Sequence, residues 1–331
     1  MSTKKNSKET STHTGDKSMT EKPTDPPQSS QTKELEISDL LSKIYEGYGT
    51  AGTDDLQKVA NKTIKDFIKQ VASKFNSFNS YNILLLYDPT ILIKSDADDI
   101  YKAVTFFTEK KPILMILHSR GGDTGSAYLI GKLCREYCNG TFIISVPRAA
   151  KSAATLLCCA ADEIHMGSLS ELGPIDPQIN NMPALGLKNS IEHIAQLVKQ
   201  TPESAEMFAK YLNYSLKPID LGYYERVAES ATQYAEKLLD THKENLTRKA
   251  ADLAYELVYT YKDHGFIIDK TEANKIFGDK TVKTNTDEYN LGNTLYMTLS
   301  LIDSFADYLG YYFYMIGSFD SDPIFRKKKK K

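Results

Sequence analysis

The sequence predicts an α/β fold in which apolar strands alternate with helices, and three stretches carry that reading. Residues 113–117 (ILMIL) form a continuous apolar run, the pattern of a strand buried on both faces. The run leads through Gly121 and Gly122 into a stretch with Ala127, Leu129, Ile130, Leu133 and Cys134 at helical spacing. A second strand, residues 141–146, ends at Pro147, and Ser152 then opens an apolar helical stretch through Leu157.

The remaining elements follow in chain order. Residues 1–34 hold no aromatic residue, Val or Ile and are rich in Ser, Thr, Lys and Pro. They bury too little surface to offset the entropy of ordering, so a disordered tail without a signal peptide is expected. Residues 35–78 read as an N-terminal helical segment, with Ala60, Ile64, Phe67, Ile68 and Val71 near helical spacing. Residues 81–87 are the first core strand and 97–108 a helix. A helical region begins at residues 188–199 and becomes a helical insertion over about 200–261, after which the core resumes at Phe266, Ile267 and Ile268. Residues 286–331 read as a C-terminal aromatic helix and a basic tail. Asp303 and Asp307 argue against a membrane-spanning helix, so docking on the body or on a neighbouring subunit is expected. Arg326 and Lys327 to Lys331 read as a solvated tail, with contact to lipid or nucleic acid as the alternative.

Composition sets outer limits. With 331 residues and 41% hydrophobic content the chain can bury one large core or two modest ones. A net charge of −2 gives no global pull toward nucleic acid or an anionic membrane. The four cysteines lack zinc-site spacing, which points to reduced thiols in a cytoplasmic compartment. No cofactor or metal site is expected, and without a P-loop pattern any ATPase would be a separate partner.

The chemistry lies between residues 113 and 178. Glycines at the carboxyl end of a buried strand let backbone N–H groups approach an oxyanion with no Cβ in the way. Asp123 or Thr124 caps the helix that follows. A Ser at a helix N-terminus gains from the macrodipole, which favours a developing alkoxide. Ala149, Ala150, Ala153 and Ala154 around Ser152 leave room for a substrate backbone. The plain alternatives are a Gly-Gly turn and a Ser N-cap with no further role.

Four motifs carry a resemblance to a known family: HSRGGD at 118–123, PRAAKSA at 147–153, ADEIHMG at 161–167 and LGPIDPQ at 172–178, with a weaker one, HGFIIDKTEA, at 264–273. They resemble the serine dehydrogenase proteinases, Clp/crotonase-fold relatives of the Clp proteolytic subunit and signal peptide peptidase. The resemblance covers roughly residues 80–200 and 255–280, about half the chain. It implies a repeated ββα core over residues 79–285, carrying the helical insertion and flanked by the helical extensions. It also implies a serine endopeptidase that acts on protein or peptide and assembles as a homo-oligomer. Relatives often carry a membrane-spanning segment before the core, and none is visible here.

The family's order of Ser, Asp and His points to Ser152, Asp176 and His264. Asp176 stands where the Clp subunit would carry its His, and His264 near where it would carry its Asp. Ser152 is then the nucleophile, His264 the base and Asp176 its orienting carboxylate. Gly122 and Ala153 are the expected oxyanion donors, with Gly121 permitting the turn. The other histidines read less well: His13 lies in the tail, His165 on a short strand, His193 on a helix, and His242 on a solvent-facing helical stretch. His118 beside the glycines could shape the cleft, but reads more plainly as a surface or core-edge residue. The signal peptide peptidase relatives use a Ser–Lys dyad, which leaves Lys188, read as opening a helix, as an alternative base. Lys151 adjoins Ser152 and so does not face it across a helix. A non-catalytic Clp-fold scaffold and a crotonase-like acyl-CoA enzyme are the readings from other classes.

Overall fold

Strands with long apolar runs leave no face for solvent, and the core of this protein is built around such strands. The computed structural model of the chain describes residues 35–50, 53–179 and 182–329. The expected tail over residues 1–34, with His13, lies outside the described residues.

The helices α1 (Ile37–Thr50), α2 (Thr53–Ala72) and short α3 (Ser77–Ser80) precede β1 (Asn82–Asp88), α4 (Lys94–Thr105), β2 (Ile113–Ser119), α5 (Thr124–Tyr137) and β3 (Phe142–Val146). Then come β4 (Ala149–Ala150), α6 (Ala153–Cys158), β5 (Glu163–Met166), β6 (Glu171–Leu172) and the small antiparallel pair β7 (Gln178–Ile179) and β8 (Met182–Pro183). The helices α7 (Ala184–Gln200), α8 (Ala205–Ser215), α9 (Pro218–Leu239) and α10 (Ala250–Tyr259) interrupt the strands. The chain continues through α11 (Lys270–Phe277), β9 (Val282–Lys283), α12 (Asp287–Tyr308), β10 (Tyr311–Gly317) and β11 (Ile324–Lys327).

The main sheet runs β11-β10-β1-β2-β3-β5-β9. Its centre is parallel, and β10 joins β1 antiparallel. β4 pairs with the carboxyl end of β2 through Ser119 and Ala150, and β6 lies beside β4. Side chains alternate along each strand and so feed two cores. Leu84, Leu86, Met115, Leu117 and Ile144 pack with Ile100, Ile130, Leu157, Leu238 and Leu257 of the helices on one face. Ile83, Leu85, Leu114, Ile116 and Ile143 pack on the other with Leu40, Ile44, Ile64 and Ile68 of α1 and α2, and with Leu291, Leu295 and Ile302 of α12.

Two expectations are corrected. The aromatic segment is not helical throughout: α12 ends at Tyr308, Gly310 takes φ +84°, and Tyr311–Gly317 is a strand. Aromatic and apolar residues pack well on a pleated surface, and Phe313 and Met315 are fully buried there. The start of the basic end is not a free tail either, while Lys330 and Lys331 lie outside the described residues. Arg326 and Lys327 lie in β11, Arg326 stacks 5.4 Å from the Tyr314 ring, and Lys328 pairs with Asp307.

The core also fails to resume as a strand at residues 266–268. Only Ile268 pairs, antiparallel to Leu172. The cause is local: Asp263 closes a turn onto Phe266, and Asp269 already caps α11 by accepting from Thr271 and Glu272 N–H. β9 takes the sheet position beside β5 instead.

Phe313 fills the core beneath α12 from the last long strand. Phe313→Ala is expected to destabilise the protein by about 3–5 kcal/mol, as for other buried Phe truncations. Denaturant unfolding measures this, and a loss under about 1 kcal/mol would show that β10 contributes little to the fold.

Candidate active site

The Ser152 turn joins β4 to α6. Ser152 takes φ 52° and ψ −118°, and its side chain makes no capping bond to α6. For a residue with a Cβ this backbone costs roughly 1–3 kcal/mol. A Ser serving only as an N-cap would have extended backbone and a bonded hydroxyl, so that reading does not describe it.

Neighbouring bonds hold the turn in place. Lys151 N–H donates to Ser119 O (3.0 Å), Ala154 N–H to Lys151 O (2.9 Å) and Leu156 N–H to Ser152 O (3.1 Å). The Thr155 hydroxyl donates to Ala150 O (2.6 Å) and accepts from Gly173 N–H (3.0 Å), tying α6 to β4 and to the LGPIDPQ segment. Gly121 must be glycine: at φ +90°, a Cβ there would lie 2.4 Å from Lys151 O and 2.8 Å from Ser152 Cβ. The Gly121 N–H is taken by Ser119 Oγ (3.1 Å). The N–H groups of Gly122 and Ala153 have no acceptor among the described residues. Asp123 caps α5, accepting from Ser126 N–H.

Asp176 and His264 are brought together. His264 Nδ1 lies 2.7 Å from Asp176 Oδ1. The other carboxylate oxygen accepts from Gln178 Nε2 (2.9 Å). In the neutral ring, a hydrogen on Nδ1 donated to this carboxylate leaves the lone pair on Nε2. Asp176 is buried, whereas the His264 side chain is 33% exposed. The hydrogen bond to Asp176 raises the His264 pKa, burial opposes this, and the carboxylate charge adds to the rise. Gln178 and Thr155 are supporting groups that no spacing in the sequence singles out, because their partners meet only in the fold.

The other candidates are placed differently. Lys188 lies within α7, half-exposed, with Nζ 3.6 Å from Glu225 Oε1. His118 is a partly buried ring between Tyr87 and Tyr296, its pKa pushed down to about 4 by desolvation. His165 is buried on β5 between Thr286 and Glu163, and His193 is exposed on α7. His242 corrects an expectation. It is buried, with Nε2 2.9 Å from Cys159 O, because a kink at φ −141° turns it inward from its polar neighbours. Cys134, Cys158 and Cys159 are buried and Cys138 partly so, all as free thiols. Among the described residues, no helix is long and apolar enough to cross a membrane.

A cleft of about 710 Å³ opens between the core and α9. Its walls include Thr124 at the start of α5, Pro177 next to Asp176, and Ile219, Tyr223, Val227 and Tyr234.

Residues 77–210 match the family model of the ClpP-like SDH-type serine proteinases. The match contains Ser152, Gly121, Gly122 and Asp176 and ends before His264. Two uncharacterized proteins of Methanocaldococcus jannaschii are similar to part of the chain. One is 36% identical over 97 residues, 29% of this chain and 34% of the relative. The other is 35% identical over 92 residues, 28% of this chain and 31% of the relative. The chain thus spans about a third of the length of the curated relatives it matches.

The His264–Asp176 pair has a titration signature. The His264 ring is expected to titrate above the usual imidazole value near 6.5, and Asp176→Asn to lower its midpoint. Protonation is favoured in the folded chain, so the pair's contribution to stability is full below the unfolded pKa and lost as pH rises through the raised one. Ring-proton NMR titration of both proteins checks this, and an unchanged midpoint in the Asn variant would contradict it.

Proposed function

We propose that the protein is a serine peptidase that hydrolyses protein or peptide substrates through an acyl-enzyme on Ser152. The observation that carries this reading is the His264–Asp176 hydrogen bond, at 2.7 Å, in a fold that also holds a strained Ser152 free of any capping bond. The family match over residues 77–210 agrees with the chemistry.

In this mechanism His264 Nε2 takes the proton from Ser152 Oγ as the hydroxyl attacks the scissile carbonyl. Asp176 orients the imidazole and stabilises its cation. The tetrahedral oxyanion accepts from the unpaired N–H groups of Gly122 and Ala153, and Gly121 permits their close approach. Collapse expels the amine, which takes the proton from His264. A water, deprotonated by the same ring, then attacks the acyl carbon; collapse releases the acid, and His264 returns the proton to the departing Ser152 Oγ. The apolar cleft beside Thr124 and Pro177 receives the substrate chain. Lys188, half-exposed beside Glu225, has no part in this scheme, since a lysine base must be desolvated.

A homo-oligomeric assembly belongs to the same reading. Helix α8 buries none of its described residues and exposes Met207, Tyr211 and Tyr214, the last at 94%. Light scattering that gives a monomer mass across micromolar concentrations would contradict it.

Ser152→Ala is expected to abolish peptide hydrolysis and fluorophosphonate labelling, with a stability change of no more than about 1 kcal/mol. His264→Ala is expected to lose nearly as much activity, because triad members act as a unit. Asp176→Asn loses less, and Lys188→Ala is close to silent. Wild-type activity is expected to rise with pH through the raised His264 pKa, since only the neutral ring can accept a proton. An inactive Lys188→Ala beside an active His264→Ala would establish the dyad instead.

A further inference from the structure

We infer that Lys151 is a positioning residue that clamps together the three segments bearing Ser152, Asp176 and His264, an inference that rests on the peptidase reading. Its Nζ donates to Leu172 O at 3.0 Å and to Phe266 O at 3.3 Å. It also forms an ion pair with Glu171 Oε2 at 2.9 Å. An ammonium has three N–H bonds and no acceptor, and here those bonds face two carbonyls and a carboxylate. The group is therefore saturated as a donor and serves as a junction rather than a base.

The three contacts fall at informative places. Lys151 directly precedes the strained Ser152, Leu172 begins the segment that ends in the Asp176 loop, and Phe266 lies two residues beyond His264. The side chain is 19% exposed, and that of Glu171 is 14% exposed. The other Glu171 oxygen is held by Arg148 Nη1 at 2.6 Å, so the carboxylate is fixed before Lys151 reaches it. Gly173 leaves room for the lysine stem: a Cβ there would lie 2.8 Å from Lys151 Cδ. Backbone bonds already join Leu172 to Ile268. β6 already pairs with β4, and Gly173 with Thr155, so the LGPIDPQ segment is tied to the nucleophile turn. Lys151 adds a direct bond from that turn to Phe266 O, and so sets where the His264 loop stands relative to Ser152. Misplacing reacting groups by about 1 Å can cost on the order of 100-fold in rate. A clamp of this kind acts on kcat and leaves the apolar cleft, and with it KM, unaltered.

The test is steady-state kinetics on peptide substrate, with thermal unfolding run alongside. Lys151→Met keeps most of the stem and leaves Glu171 paired with Arg148. It is expected to fold, to lose about 100-fold in kcat and to keep KM within about threefold. Lys151→Cys is expected to fail in the same way. Aminoethylation with 2-bromoethylamine, which rebuilds an ammonium at lysine length, is expected to recover most of its kcat while leaving the wild type unchanged. Wild-type kcat in the Met variant, a loss confined to KM, or a folded Cys variant that aminoethylation does not rescue would overturn the assignment. If the Met and Cys variants do not fold, Lys151→Arg decides the question. It keeps the charge and the pairing with Glu171, yet a planar guanidinium does not place one donor atom between both carbonyls. The clamp requires at least about a tenfold loss of kcat there, and wild-type turnover in that variant overturns it. Failure of the peptidase reading looks different: the wild type itself would not label at Ser152 with fluorophosphonate.

Discussion

Burial of the central sheet on both faces is the constraint from which the rest of the structure follows. In β1, β2 and β3 nearly every side chain belongs to one of the two cores. Polar chemistry therefore has no place along these strands and collects beyond their carboxyl ends. Gly121 and Gly122 follow β2, the Ser152 turn follows β4, and the LGPIDPQ segment follows β6. Each sits where a strand stops and the chain must turn.

The strain at Ser152 is tolerable because its surroundings leave the turn few alternatives. Backbone bonds from Lys151 to Ser119 and from Leu156 to Ser152 fix it on both sides. Gly121 presses against it at a distance no Cβ would allow. An unfavourable backbone persists where packing and hydrogen bonds over-determine it, and here the result is a hydroxyl with no structural duty.

Much of this was legible in the sequence, and the remainder fails for identifiable reasons. Strands expected at 81–87 and 113–117 lie at Asn82–Asp88 and Ile113–Ser119, and of the two caps the sequence offers for α5, Asp123 and Thr124, Asp123 is the one used. The pairing of Asp176 with His264 came from resemblance and from no periodicity, because 88 residues separate the two. The C-terminal strand reads as helix in the sequence because aromatic residues suit either state, and the partner strands β1 and β11 decide. His242 was read as solvent-facing from polar neighbours, which describe a helix face but not a kinked turn. Lys151 looked idle beside Ser152, since adjacency along the chain says nothing about where a long side chain ends.

The sheet face beneath α1, α2 and α12 is assembled from segments far apart in the chain. Lys65 of α2 pairs with Asp322 across 257 residues, and β10 closes against β1 across a comparable interval. Contacts of such separation form late, since long loops must close before the contacts reward them. Until β10 arrives, the outer edge of β1 offers unpaired N–H and C=O groups from an apolar strand. A nascent chain thus carries a sticky edge from the emergence of β1 until the segment from 311 to 317 covers it.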